Sequence, residues 1–387
     1  MFKHLRPVWA EIDLDKLAYN MQQIKNLCKS KEIIAVVKAD AYGHGALDIA
    51  PILLESGATR LAVAVLNEGI ELRRGGIDAP IMVLGFTPDS LIETALRYNI
   101  EQTVYSYEIA KQISDVARKS NMLAKIHIAL DTGMGRIGFL PSKESIEEIS
   151  RLSKLPNIQI EGIFSHFASA DEKDKTYTKL QFNKFLWVCN NLQERGIDIK
   201  VRHIANSAAI IDMPELHLEG VRPGIIMYGY YPSSEVNKER LDLKPVMSLK
   251  TTIVHIKNME KGKYISYGRE FKTEKESIIA TLPVGYADGY NRSLYNKGGK
   301  VILKEQLAPL AGRVCMDQCM IDVSHIKDVK IGDEVILMGE DKGIKMTAEE
   351  IGNLLGTINY EVTCMISKRV PRVYIRNGNI VGIRNYV

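Results

Sequence analysis

The sequence predicts a (β/α)8 barrel of the TIM type followed by a mostly antiparallel β domain, and three observations predict it. Short β-branched runs alternate with stretches of helical periodicity over the first ~240 residues, the pattern of a parallel sheet. Many of those runs end in polar or glycine-containing tails. Beyond about residue 243 the texture changes to Val- and Ile-rich runs separated by turn residues.

The barrel strands are read at 33–37, 61–65, 80–84, 102–105, 126–130, 160–164, 200–204 and 224–228. Helical periodicity lies between most of them, at 47–55, 68–74, 89–98, 108–119, 143–152 and 176–194. Eight strands in about 230 residues suit a (β/α)8 barrel, whose usual size is ~250 residues. An open doubly wound sheet is the structural rival, but it usually carries a Gly-rich turn after its first strand. Here that strand is followed by KADAYGHG, which lacks the fingerprint.

In a barrel the polar tails meet on one face, where sites in this fold sit. Strand one ends in Lys38, strand five in Asp131-Thr132-Gly133, strand six in Ser165-His166 and strand seven in Asn206-Ser207. Val221-Arg222-Pro223 comes immediately before the eighth run.

The later runs, 249–256, 277–282, 300–303 and 334–338, read as an antiparallel β domain. One helix, 348–355, interrupts them, opened by a capping box of Thr347 and Glu350. The polar stretch 232–242 marks the boundary. The expected domains are residues 1–240, with the first few free to join the second domain, and 241–387.

Composition narrows the function. Of the 387 residues 45% are apolar and 25% charged, ordinary values for a folded chain, and 51 basic against 47 acidic residues leave a net charge of +4. That balance excludes a nucleic-acid binder working by charge alone. Cys28, Cys189, Cys315, Cys319 and Cys364 make no disulfide framework, and no second pair or histidine cluster follows Cys315 and Cys319 at zinc spacing. No metal is expected. No window holds 18 uncharged apolar residues, so no membrane span is expected. The N-terminal MFKHLRPVWAEIDLDKL is charged throughout and has no apolar signal-peptide core, which points to the cytoplasm.

Lys38 closes an apolar strand, where desolvation lowers an amine pKa and makes it a nucleophile able to form an imine with an aldehyde. Burial statistics alone favour a strand-end lysine that reaches solvent. Its context shifts the balance. Phosphate groups in such barrels often sit at the loops after strands seven and eight; here Asn206-Ser207 follows strand seven and Gly224-Ile225 begins strand eight, where glycine lets the backbone come close. Asn206-Ser207 also reads as a helix cap. Arg222 in the mouth should face an acceptor. His44 and His127 read as structural or hydrogen-bonding residues, Cys315 as a packing thiol, and Asp317 as a residue that orients a loop.

These segments resemble the alanine racemase family of pyridoxal-phosphate enzymes. AVVKADAYGHG (35–45) is similar to its cofactor-lysine motif. DTGMGRIG (131–138), HIANSAA (203–209), VRPGIIMYG (221–229), ISYGREF (265–271), PVGYADGY (283–290), GRVCMDQ (312–318) and NYEV (359–362) follow in the same order.

The resemblance implies roles. Lys38 would hold pyridoxal 5'-phosphate as an imine and act as one of two bases, with Tyr267 the other. Tyr42, Ser207, Tyr360 and the backbone of Gly224 and Ile225 would contact the phosphate. His166 and Asn206 would line the pocket, with Leu84 against the ring and Arg222 facing the pyridine nitrogen. Arg136 would orient the cofactor's phenolic oxygen and the substrate carboxylate. Met316 would bind substrate through its backbone amide, and Tyr286 would guard the entry. Tyr267, Tyr286 and Met316 would come from the partner subunit of a homodimer.

Racemisation takes a proton from one face and returns one to the other, so one base on each face suits it. A tyrosine, with a reference pKa near 10, needs nearby positive charge to act as a base. An arginine opposite the ring nitrogen only donates, which leaves that nitrogen unprotonated and favours racemisation over transamination. Many family members carry a carbamylated lysine where this chain has Ala129, so Arg136 must be oriented otherwise, by a bound anion or another carboxylate. The expected activity is interconversion of L- and D-alanine, supplying D-alanine for peptidoglycan. The rivals are a serine or broad-specificity racemase, a decarboxylase of related fold, and a non-catalytic pyridoxal-phosphate carrier.

Overall fold

The computed structural model describes residues 6–386. The described residues divide into two compact units, Leu17–Ala41 with Ala46–Lys244, and those up to Lys16 with Tyr42–Gly45 and those from Pro245 onward. The N-terminal strand β1 (Val8–Asp13) belongs to the second of these units.

The first unit is a closed parallel barrel. Its strands are β2 (Glu32–Val36), β3 (Arg60–Val63), β4 (Ile81–Val83), β5 (Ile100–Val104), β6 (Ala124–Ala129), β7 (Ile158–Phe164), β8 (Val201–Ala205) and β9 (Gly220–Val221). Each pairs in parallel with the next, and β2 closes on β9 through Glu32↔Gly220 and Ile33↔Val221. β3, β4 and β5 are buried at every position, as strands with both faces covered must be.

The eighth run is a correction. Residues 224–228 are not a strand. Gly220–Val221 closes the barrel, and Ile225–Tyr228 forms a 3-10 turn ending in left-handed Gly229. Pro223 lacks an amide for a ladder, and Gly224 turns the chain at φ −124°, ψ −100°. The apolar run is buried as a plug beside β2, where the Tyr228 hydroxyl donates to Val36 O at 2.9 Å. Arg222 therefore stands at the end of the last strand, and Gly224-Ile225 in the loop beyond it.

β2 leads into Lys38–Tyr42, a left-handed turn in which Ala39, Asp40, Ala41 and Tyr42 all have φ between 51° and 55°. Each such non-glycine residue costs roughly 1–2 kcal/mol. Hydrogen bonds offset part of that: Ala39 N donates to Glu68 Oε1 at 2.6 Å, Ala41 N to Val37 O at 2.9 Å and Ala46 N to Asp40 Oδ1 at 2.8 Å.

The second unit is built on a mixed sheet in the order Gln306–Pro309, Lys300–Leu303, Glu334–Asp341, Met247–Thr252, β1, Arg372–Arg376 and Asn379–Arg384. Only β1 with Arg372–Arg376 is parallel along that path. A three-stranded sheet joins His255–Met259, Ser277–Leu282 and Cys319–Asp322. The run read as 249–256 is thus two strands in different sheets, broken at Ile253-Val254. Thr347 does cap Ala348–Leu355, with Glu350 completing the box. A second helix, Asn359–Cys364, was not expected from the sequence.

Candidate active site

The predicted residues fall into a group within each unit. In the barrel unit Lys38 follows β2, Leu84 follows β4, Arg136 lies in the loop after β6, and His166 follows β7. Asn206 and Ser207 follow β8, and Arg222 follows β9. All sit at the carboxyl ends of parallel strands. The charges of Lys38, Arg136 and Arg222 converge on His166. Burial, then Arg222, Arg136 and Lys38, push that imidazole down to about 3, so it is neutral at pH 7.

Arg222 is buried, and among the described residues its hydrogen-bond partners are all neutral acceptors. Nη1 donates to His203 Nδ1 at 2.9 Å and to His203 O at 2.6 Å. Nη2 reaches Ser165 O at 2.6 Å, Ile204 O at 3.3 Å and His166 Nδ1 at 3.4 Å. Burial and the nearby Arg136 charge bring the guanidinium down to about 9.

Asn206 caps Ser207–Asp212, its Oδ1 accepting from Ala209 N at 3.1 Å. The Ser207 hydroxyl accepts from Gly224 N at 2.9 Å, which ties the loop after β8 to the loop after β9. Ile225 is fully buried.

Arg136 is exposed, and its backbone is anchored. Asp131 Oδ2 accepts its amide at 2.8 Å, while Oδ1 accepts Gly133 N and Gly135 N, each at 3.0 Å. Burial raises the Asp131 carboxyl, but these amides outweigh it and hold it below the usual carboxylate range. Ala129 is buried at the end of β6. A carboxylate thus serves the Arg136 loop through its backbone amide, and among the described residues none is hydrogen-bonded to the guanidinium. Asp131 was quoted with its motif but not singled out, although an aspartate two, four and five residues before amides of a Gly-rich turn is a readable signal.

In the second unit, Tyr267, Tyr286 and Met316 share one surface. Tyr286 N donates to Cys315 O and Ala287 N to Met316 O, both at 3.0 Å. Gly285 permits this approach, since a Cβ there would lie 2.2 Å from Met316 O. Ser266, next to Tyr267, donates through its hydroxyl to Arg313 O at 2.5 Å. The three side chains are 61%, 40% and 52% exposed, high values for large apolar groups.

Sequence reading missed the cation beside them. The Arg292 guanidinium lies 5.6 Å from the Tyr267 ring centre and 6.0 Å from that of Tyr286, held by a bond to Val314 O at 3.2 Å. Nothing in PVGYADGYNRS marks Arg292 as facing back to a tyrosine more than twenty residues earlier.

Tyr42 and Tyr360 form a separate pair, ring centres 5.9 Å apart, and burial raises the Tyr42 phenol above its ordinary range. His44 is buried with Nδ1 3.1 Å from Tyr42 O, and Asp317 accepts from Arg369 at 2.8 Å.

The barrel donors fit the group implied by the motifs. An amine stands with two guanidinium groups, one of them buried without a carboxylate partner, and a hydroxyl lies between two loop backbones. That set matches an aldehyde carrying a phosphate and a phenolate. Among the described residues no cluster of His, Cys, Asp or Glu could hold a metal ion, and no helix is long and apolar enough to cross a membrane.

Comparison with known proteins agrees with the motifs. A family model described as alanine racemase, N-terminal domain, matches residues 12–232, and one described as alanine racemase, C-terminal domain, matches residues 246–374. An alanine racemase of Clostridium tetani is 92% identical over 387 residues, covering 100% of both chains. A solved alanine racemase of Clostridium difficile 630 superposes with a TM-score of 0.95 at 49% identity, covering 100% of each chain. A solved histidine racemase of Leuconostoc mesenteroides is 28% identical with a TM-score of 0.89, over 97% of this chain and 99% of that one.

Proposed function

The chain belongs to the alanine racemase family, and we propose that it interconverts L- and D-alanine with pyridoxal 5'-phosphate bound at Lys38. The observation that carries this reading is the meeting of Lys38, Arg136 and Arg222 around neutral His166 at the carboxyl ends of the barrel strands. When bound, the cofactor lowers the energy of the carbanion left by removal of the α-proton.

The residues do the rest. Lys38 Nζ holds the cofactor and moves a proton on one face, and Tyr267 Oη moves one on the other. Ser207, Tyr42, Tyr360 and the backbone of Gly224 and Ile225 bind the phosphate. Leu84 supports the ring, and His166 and Asn206 line it. Arg222 would face the ring nitrogen and, as a group that only donates, would favour its unprotonated form. Arg136 orients the phenolic oxygen and the substrate carboxylate, Met316 offers its backbone amide to substrate, and Tyr286 narrows the entry.

The exposure of Tyr267, Tyr286 and Met316 on one surface supports a homodimer in which they serve the partner's barrel mouth. D-alanine made in the cytoplasm for peptidoglycan is the role this activity supplies. The near-neutral charge balance favours a small-molecule enzyme over a nucleic-acid partner.

The histidine racemase likeness keeps a broader substrate range as the second reading. Purified protein loaded with pyridoxal phosphate and given L-alanine or L-serine, with products resolved by chiral chromatography, separates the two. Fast conversion of alanine and slow conversion of serine supports the first. Equal rates support the broader racemase, and no conversion with bound, coloured cofactor supports the carrier.

A further inference from the structure

A line of buried polar side chains crosses the barrel interior and ends at Arg222. Arg60 on β3 donates to Glu101 Oε2 on β5. His127 on β6 places Nε2 2.9 Å from the same oxygen and Nδ1 3.1 Å from Nε2 of His203 on β8. His203 Nδ1 lies 2.9 Å from Arg222 Nη1. All five residues are at most 5% exposed. Their meeting is built in: a Cβ at Gly162 would sit 2.6 Å from His127 Nδ1, and the His203 ring stacks on Phe164 at 5.3 Å.

Donor accounting gives this line one direction. A guanidinium only donates, so His203 Nδ1 must accept. A neutral imidazole has a single N–H, which His203 therefore carries on Nε2 and donates to His127 Nδ1. His127 must then carry its own proton on Nε2, and it donates to Glu101. Protonating His203 at Nδ1 would set two donors face to face. Burial first, then the Arg222 and Arg60 charges, hold His203 well below its ordinary range, which agrees with a neutral ring. Burial raises the Glu101 carboxyl, but His127 and Arg60 outweigh it and keep it ionised. Glu101 is thus the one carboxylate in the line, two imidazoles from a cation whose direct partners are neutral.

We propose that Glu101 is a positioning residue for the reaction: through His127 and His203 it fixes the acceptor that holds Arg222 in place, facing the cofactor ring nitrogen. The inference rests on the reading that Arg222 faces that nitrogen. Removing the acceptor should reverse the line. Arg60 Nη1 and His127 Nε2 share one oxygen of Glu101, and in Glu101→Leu nothing there accepts from His127. His127 then carries its proton on Nδ1, His203 follows, and Arg222 loses an acceptor.

The test uses holoenzyme with 15N-labelled histidine. Two-bond 1H–15N spectra of the parent should show His127 and His203 neutral, each with its proton on Nε2. A proton on Nδ1 of His203, or a doubly protonated ring, overturns the proposal without any variant. Glu101→Leu should move both protons, lower kcat about tenfold with KM within about twofold, and shift the cofactor's visible absorption. Glu101→Asp, which restores the carboxylate, should recover kcat to within about threefold of the parent. A Glu101→Leu protein that loses thermal stability but keeps kcat, tautomers and absorption would show a merely structural role and overturn the proposal. Failure of the parent to racemise any amino acid would instead remove the functional reading, with the tautomers unaffected.

Discussion

Asp131 Oδ2 accepts the backbone amide of Arg136 at 2.8 Å, while its other oxygen holds Gly133 N and Gly135 N. One carboxylate thereby shapes the turn that presents the Arg136 side chain, in a chain whose neighbouring strand residue, Ala129, has no charge to offer.

Asp131→Ala should therefore loosen the loop without unfolding the barrel. Amide hydrogen exchange at Gly133, Gly135 and Arg136 should speed up by at least about tenfold, matching the ~1.5–3 kcal/mol of hydrogen bonds to a charged group. KM for alanine should rise while the amount of bound cofactor stays unchanged. The sign with pH follows from the depressed carboxyl. Its contribution is complete above the unfolded value of about 3.9 and is lost as pH falls through the lower folded value. Protection at the three amides should be flat above about pH 5 and fade below about pH 4. Unchanged exchange in the variant would count against Asp131 as the anchor.

Tyr267→Phe keeps the ring beside Arg292 and removes only the hydroxyl proposed to move the proton. The expected loss in kcat is about 10²–10⁴-fold in both directions. In D2O, α-deuteration should persist from one alanine enantiomer, the one whose proton faces the lysine. Exchange from both enantiomers at parental rates would mean that the second base lies elsewhere.

Gly162 allows the close approach of β6 and β7 that seats His127, with Val201 O 2.7 Å from where a Cβ would be. Gly162→Ala must move a ring and a backbone carbonyl together, and such overpacking costs about 1–3 kcal/mol. Denaturant unfolding should show a lowered midpoint with an unchanged slope. An unchanged midpoint would mean that the barrel wall yields freely there.

Much of this architecture was legible because parallel strands buried on both faces are written as unbroken apolar runs. Residues 33–37 and 61–65 needed nothing more. The eighth strand failed on the same rule. Ile225–Tyr228 is an equally apolar and equally buried run, and periodicity cannot separate a buried turn from a buried strand. The true strand, Gly220–Val221, is too short to carry a pattern. β1 pairs with Met247–Thr252 and Arg372–Arg376, partners more than 230 residues away that no local signal encodes.

The site shows the same division. Lys38, Asn206-Ser207 and Arg222 stood at run ends and could be found there. Glu101, His127 and His203 lie on three different strands, and only strand register brings them into line. Arg292 is joined to Tyr267 by the fold of the second unit alone.

The account turns on the amine of Lys38. Borohydride reduction of the purified, coloured protein, followed by proteolysis and mass spectrometry, tests it most directly. The account predicts bleaching and a pyridoxyl group on the peptide containing Lys38, with Lys38→Ala neither bleached nor labelled. A label on a different lysine, or a parent protein that takes up no pyridoxal phosphate under saturating conditions, would contradict it.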